Sequence, residues 1–227
     1  MAAIVWEDGL LRQAELLCEA AHRCSARGWV PATAGNFSFR DAASGRVFIT
    51  ASGLDKGAIL PADLLEIDAE CRVLAGEGKP SAETSLHGVI YRRDAGAMAI
   101  FHVHSIWNTL LSDWFSSPTP LAARLKKMSG SAPAAVPLEG YELLKALSGV
   151  TTHAHRELVP ILENSQDYAA LAAELAARLR EQAGAHGVLL RRHGLYTWGE
   201  SIAGAWRHLE ALEFLFEVEA RRVGCAS

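Results

Sequence analysis

The chain reads as one α/β domain, residues 1–227, with a central sheet covered by helices. Three observations predict this. Short segments of strand-like alternation and longer segments of helical periodicity mix along the chain. No linker, low-complexity stretch or internal repeat separates them. And 227 residues, 50% hydrophobic and 21% charged, are ordinary globular material with enough chain to bury a real core.

The elements follow in order. Leu10, Leu11, Ala14, Leu17, Ala20 and Ala21 recur at helical spacing within Trp6 to Arg27, and Gly28 ends that helix. The small-residue turn VPATAGN leads into Phe37-Ser38-Phe39-Arg40, which alternates like a strand. Asp41 to Gly45 reads as a hairpin turn into Arg46 to Thr50, and LLEID and CRVLAG as two further short strands. SAETSLHGVIYRR is helical, with Ser81 as its expected N-cap and Glu83 suited to its first turn. AMAIFHVH is a strand, and Ser105 is expected to cap the short helix IWNTLLS. Four prolines between residues 113 and 137 predict mostly loop, followed by a short helix in GYELLKAL and a strand edge in LVPILE. Asp167 to Gln182 is a helix, VLLRRHGLYTWG a strand and turn, and Ile202 to Phe216 marks a long amphipathic helix.

The chemistry concentrates at two strand ends. His102-Val103-His104 closes an apolar run, and side chains two apart on a strand point the same way, so both imidazoles can address one point. Arg191-Arg192-His193-Gly194 closes a second apolar run and offers a third histidine. Three protein ligands with an open fourth position are the arrangement of a catalytic divalent metal, typically zinc. His153-Ala154-His155 has the same spacing, so spacing alone does not choose between the pairs. The buried strand favours His102 and His104 because a metal site needs rigid support, and a solvated loop is expected for His153 and His155. His22, His87, His186 and His208 stand singly, and structural or surface roles are expected for them.

Two carboxylates are candidates for proton transfer beside such a metal. Glu83 opens the helix preceding the HVH strand, and Glu139 stands in the turn Pro137-Leu138-Glu139-Gly140. Surface glutamates at helix starts are common, so position alone assigns neither. Three small-residue turns could cradle an anion: Thr33 to Asn36, Ala51-Ser52-Gly53 and Pro80-Ser81-Ala82, with Lys56 as a nearby charge. Together with the metal motif they suggest a phosphorylated substrate.

The net charge of -4 provides no basic field for a phosphate backbone, so nucleic acid is not an expected partner. No stretch approaches a membrane span, and MAAIVWEDGL lacks the basic start and long apolar run of a signal peptide. The four cysteines show no metal-finger spacing. Cys18 and Cys24 would lie about 240° apart around a helix, so free thiols in a reducing cytoplasm are expected.

Taken in order, T-A-G-N-x-S, A-S-G-x-x-K, K-P-S-A-E-T-x-x-H, H-V-H-S and R-R-H-G-x-Y-x-W-G resemble the class II aldolase/adducin head family from about residue 8 to residue 222. Ala34 stands where many members have glycine. The resemblance implies an αβα fold with a mostly antiparallel central sheet, one Zn²⁺ per subunit on His102, His104 and His193, and a homotetramer. It implies that the substrate is a small phosphorylated ketose, its phosphate held by Thr33, Asn36, Ser52 and Gly53 with Ser81 nearby. LEGYELLKAL, THAHRE, VPILEN and RRHGLYTWGE resemble a dehydratase branch rather than the sugar-phosphate aldolases or 4-epimerases, which are the alternative. In that branch the resemblance makes Glu139 the principal acid/base, protonating a departing C4 hydroxyl. It leaves Glu83 open between metal neighbour, second base and helix-start residue. A non-enzymatic adducin-like binding module would be expected to lose the three histidines, and all are present.

Overall fold

The computed structural model describes residues 2–116 and 134–224. Five helices are described: α1 (Asp8–Ala26), α2 (Thr84–Arg93), α3 (Ile106–Trp114), α4 (Tyr168–Glu181) and α5 (Ile202–Gly224). The strands are β1 (Asn36–Arg40), β2 (Val47–Thr50), β3 (Leu64–Ile67), β4 (Val73–Ala75), β5 (Ala99–Val103), β6 (Ala135–Glu139), β7 (Arg156–Leu162), β8 (Gly187–Leu190) and β9 (Gly194–Gly199). They form one nine-stranded sheet in the order β4-β3-β2-β1-β5-β9-β8-β7-β6. Every pairing is antiparallel except β7 with β8, which is parallel. The expected α/β architecture with a mostly antiparallel sheet is therefore what the chain adopts. No helix among the described residues is long and apolar enough to cross a membrane.

Strand alternation sorts the sheet into two cores. On β5, Ala99, Phe101 and Val103 face one core with α1, α3 and α5. Ile100 faces the other core, with Leu86 and Ile90 of α2 and Leu171 and Leu175 of α4. Phe37 of β1 lies opposite Phe101 of β5, ring centroids 5.3 Å apart, and both are fully buried. Each such side chain contributes about 1.5–3 kcal/mol relative to exposure. His102 shares the Ile100 face by the same alternation, so the apolar packing of β5 fixes where its imidazole points.

Four sequence expectations shift. Helix α2 begins at Thr84 with Glu83 in the N-cap position, and Ser81 instead accepts the Glu83 amide at 3.2 Å in the turn before it. The stretch read as loop falls largely on residues 117–133, outside the described residues, but Ala135–Glu139 is strand β6. The predicted strand edge LVPILE is the interior strand β7, paired with β6 on one side and β8 on the other. GYELLKAL forms only a 3-10 turn, Glu142–Ala146. Ser105 does cap α3, accepting from the Asn108 amide at 3.2 Å.

Candidate active site

His102 near the end of β5, His104 just beyond it and His193 in the β8–β9 turn bring their imidazoles together, with ligand atoms all within 4.8 Å of one another. Each ring is oriented from the strand it follows. His102 lies opposite Tyr196 in the β5–β9 ladder and stacks on it, ring centroids 3.9 Å apart. Its Nδ1–H donates to the Leu195 carbonyl at 3.0 Å, which leaves Nε2 as a bare lone pair facing the cluster. His193 Nδ1 lies 3.1 Å from Asn164 Oδ1, and its Nε2 turns toward the cluster and Glu83. His104 Nε2 lies 2.8 Å from His102 Nε2, a contact that requires a proton or a cation between the two nitrogens.

Burial drives the His102 pKa well below its ordinary value, with the Glu83 charge opposing but not offsetting it. Burial, with the neighbouring His193 charge, pushes His104 down to about 4. Both rings are thus neutral near pH 7, the form that ligates a metal. Three imidazoles converging on one point, with His102 and His104 held neutral by burial, fit a divalent cation with three protein ligands.

The turn that carries His193 is fastened by α3. Thr109 Oγ1 lies 2.8 Å from the Ser105 carbonyl and 3.4 Å from the His193 carbonyl, bridging the two histidine motifs. Ser112 Oγ accepts the Arg192 amide at 3.0 Å, and Arg192 holds φ 54°. Gly194 admits the close approach of β9 to β5. A β-carbon there would sit 2.3 Å from the Val103 carbonyl and 2.8 Å from His102 Cε1.

Glu83 stands against the trio. Its Oε1 lies 2.9 Å from His193 Nε2 and its Oε2 3.5 Å from His102 Nε2. Asn36 Nδ2 donates to Oε2 at 2.7 Å. Burial works to raise the Glu83 pKa, but the His193 hydrogen bond, the electrostatic pull of the His102 and His193 imidazoles and the Asn36 donor outweigh it, so the carboxyl stays below the usual range. Asn36 pairs directly with His102 in the β1–β5 ladder. Its buried amide is committed on both ends, because Oδ1 meets His87 Nε2 at 2.5 Å. The Asn36 side chain, in a turn expected to hold phosphate, is thus held between Glu83 and His87.

The other turns lie on the surface. Thr33, Ser52 and Gly53 are exposed and Ser81 is half-buried. Lys56, expected as a free charge, is 1% exposed and donates to the carbonyls of Thr33 at 3.0 Å and Leu54 at 2.8 Å. It ties the first two turns together, and burial lowers its pKa.

Glu139 is not brought to the histidines within the chain. It pairs with Arg156 at the start of β7, 3.2 Å from its guanidinium, whereas His193 follows the opposite end of the β7–β8 ladder. Six strand residues separate those ends, roughly 20 Å. The acid/base role expected of Glu139 came from the resemblance of LEGYELLKAL to the dehydratase branch; within one chain, β-pairing sets the direction of β6 and turns Glu139 away from the histidines.

His153 is exposed as expected, but His155 is held by the buried carboxylate of Glu157 at 2.9 Å rather than left in solvent. Glu157 also binds His186 Nδ1 at 3.1 Å, and His208 Nδ1–H donates to the Trp198 carbonyl at 2.7 Å. His87 is fully buried and belongs to the site's surroundings, which its isolated position in sequence hides. The available signal is its place one helical turn after Glu83.

Comparison with known proteins agrees with this geometry. Residues 15–220 match the Class II Aldolase and Adducin N-terminal domain family. A protein of Methylococcus capsulatus named methylthioribulose-1-phosphate dehydratase is 48% identical over 94% of this chain and 95% of its own length. One of the same name from Cronobacter sakazakii is 41% identical over 92% and 95%. Among solved structures, an L-fuculose-1-phosphate aldolase from Thermus thermophilus superposes with a TM-score of 0.68 at 26% identity, covering 95% of this chain and 98% of that one. An L-fuculose 1-phosphate aldolase superposes with a TM-score of 0.73 at 21% identity, over 95% and 88%, and that likeness speaks for the fold alone. The family match runs along nearly the whole chain, and the chain belongs to the class II aldolase and adducin N-terminal domain family.

Proposed function

We propose that this chain is a metal-dependent methylthioribulose-1-phosphate dehydratase, forming 2,3-diketo-5-methylthiopentyl 1-phosphate in methionine salvage in the cytoplasm. The observation that carries this reading is identity of 48% to a protein of that name along almost its full length, against 21–26% to the fuculose phosphate aldolases that share the fold. We assign His102, His104 and His193 as ligands of one Zn²⁺. A divalent cation held there supplies Lewis-acid polarisation of a ketose carbonyl.

The chain's own groups do the rest. Glu83, beside the histidine nitrogens, is assigned to take the C3 proton next to a carbonyl at C2. Asn36 holds that carboxylate by its second oxygen. Loss of the C4 hydroxyl as water then requires a proton donor, and the enol left behind tautomerises to the diketone. Glu139 can serve as that donor only in the site of another subunit, within the homotetramer that the family resemblance implies, since its own chain holds it at the far end of the sheet. The substrate phosphate is assigned to the exposed turns at Thr33, Ser52 and Gly53, with Ser81 beside them.

The test is a substrate comparison. Methylthioribulose 1-phosphate should be dehydrated, while fuculose 1-phosphate and ribulose phosphates should be neither cleaved nor epimerised at comparable rates. Carbon–carbon cleavage of those sugars as the faster reaction would move the chain to the aldolase reading.

A further inference from the structure

From Glu83 a hydrogen-bonded chain runs inward through Asn36, His87 and Ser38 to Tyr91. The links are Asn36 Nδ2 to Glu83 Oε2 at 2.7 Å, His87 Nε2 to Asn36 Oδ1 at 2.5 Å, Ser38 Oγ to His87 Nδ1 at 2.7 Å and Tyr91 OH to Ser38 Oγ at 2.8 Å. Asn36, Ser38 and His87 are all at least nine-tenths buried, so water does not complete their hydrogen bonding. We propose that His87 is a positioning residue for the dehydration reaction, fixing the Asn36 amide so that its N–H₂ faces Glu83.

The direction of every bond follows from the charge at one end. A carboxylate only accepts, so Asn36 must turn its nitrogen toward Glu83 and its oxygen toward His87. His87 must then carry its proton on Nε2. Burial holds the His87 ring neutral, pushing its pKa down to about 3, so Nδ1 is a bare acceptor. Ser38 has one hydroxyl proton and must donate it to that nitrogen, and Tyr91 must therefore donate to Ser38. Flipping the Asn36 amide would set its oxygen against Glu83 and its nitrogen against the Nε2–H of His87, two repulsive contacts in place of two bonds. An amide does not relay protons along such a chain, so its work is orientation rather than proton transfer. The sequence encodes the arrangement compactly: Asn36 and Ser38 project from the same face of β1, and Glu83, His87 and Tyr91 recur every four residues along α2.

This inference rests on the dehydratase reading for its kinetic consequence but not for its structural one. Solution NMR of the zinc-loaded protein with ¹⁵N-labelled histidine reads the tautomer directly. The expected result is His87 protonated on Nε2 and unprotonated on Nδ1. A His87 ring protonated on Nδ1 overturns the proposal whatever the enzyme's activity. That tautomer in a protein inactive on methylthioribulose 1-phosphate would uphold the chain of bonds and reject the dehydratase reading.

The kinetic arm uses two variants that both remove the ring. His87→Gln extends an N–H toward the Nε2 position and keeps the donor to Asn36. His87→Asn stops near the Nδ1 position and loses it. His87→Asn should lower kcat by about tenfold with KM and zinc stoichiometry held, and His87→Gln should recover most of that loss. A merely structural role would lower kcat in both in proportion to their loss of thermal stability, and equal losses would overturn the proposal.

Discussion

Glu83 Oε1 and His193 Nε2 meet at 2.9 Å, joining the start of α2 to the turn between β8 and β9. These residues are far apart in sequence and come together because β5 and β9 are neighbours and α2 packs on their shared face. The contact puts a carboxylate beside the histidine nitrogens, and it orders the two glutamates of the site. Glu83→Gln should lower dehydration by about 10²–10⁴-fold, the usual span for a lost acid/base group, with the protein still folded. Glu139→Gln should lower it comparably only if a second subunit supplies that residue. Mixing inactive Glu83→Gln and Glu139→Gln chains then tests this: recovered activity in mixed oligomers places Glu139 in trans, and none removes it from the neighbouring subunit's site.

The ligand assignment predicts opposite behaviour for the two H-x-H pairs. His104→Ala should abolish stoichiometric zinc binding. His155→Ala should leave it intact while costing on the order of 1 kcal/mol through one lost bond to Glu157. Elemental analysis and thermal melts read both, and zinc loss in the His155 variant would reverse the assignment.

Gly194→Ala makes a sharper demand on the same site. The new methyl would meet the Val103 carbonyl at 2.3 Å and His102 Cε1 at 2.8 Å, so β9 must withdraw from β5 where the ligands converge. Overpacking of this kind typically costs about 1–3 kcal/mol, and zinc affinity should fall in addition. A variant with wild-type zinc affinity would show that the strand junction does not set the ligand geometry.

For the phosphate turn, Gly53 has φ 78° and open space where a side chain would point. Gly53→Val strains the turn and places a branched side chain on its exposed side. KM for the phosphorylated substrate should rise strongly while zinc content is unchanged. An unaltered KM in a folded variant would remove this turn from the site.

The Glu157–His186 pair predicts a pH signature distant from the metal. Burial alone would raise Glu157, but the His186 hydrogen bond and charge outweigh it, so its pKa is lowered. Burial alone would lower His186, but Glu157 outweighs it and its pKa is raised. A lowered carboxylate stabilises above its unfolded value of about 4.3 and is lost as pH falls through its folded value, while a raised histidine stabilises below about 6.5 and is lost as pH rises through its folded value. The pair therefore contributes most between those limits. The melting-temperature difference between wild type and Glu157→Gln should be larger near pH 6 than near pH 9, and an equal difference at both would dissolve the coupling.

The histidine cluster was legible in sequence because strand periodicity is short-range and exact: alternation alone aligns His102 with His104. Ser105 was legible as a cap for the same local reason. What eluded sequence depends on which strands pair. The contacts of the Asn36 side chain with Glu83 and His87 emerge only once β1 is seen beside β5, opposite His102. Where Glu139 lies within its own chain is set by β6 running antiparallel to β7, which takes it to the end of the sheet away from the histidines. His87 looked isolated because its partners lie on another element, although its four-residue spacing from Glu83 was visible throughout.

Zinc-stripped and zinc-reloaded protein, assayed on methylthioribulose 1-phosphate with metal content measured alongside, tests the central claim most directly. The account predicts that dehydration falls to the uncatalysed baseline on stripping and returns in proportion to zinc, reaching its maximum at one ion per chain. Full dehydration by metal-free protein would contradict it, because Glu83 and the three histidines would then act without the cation they are proposed to hold.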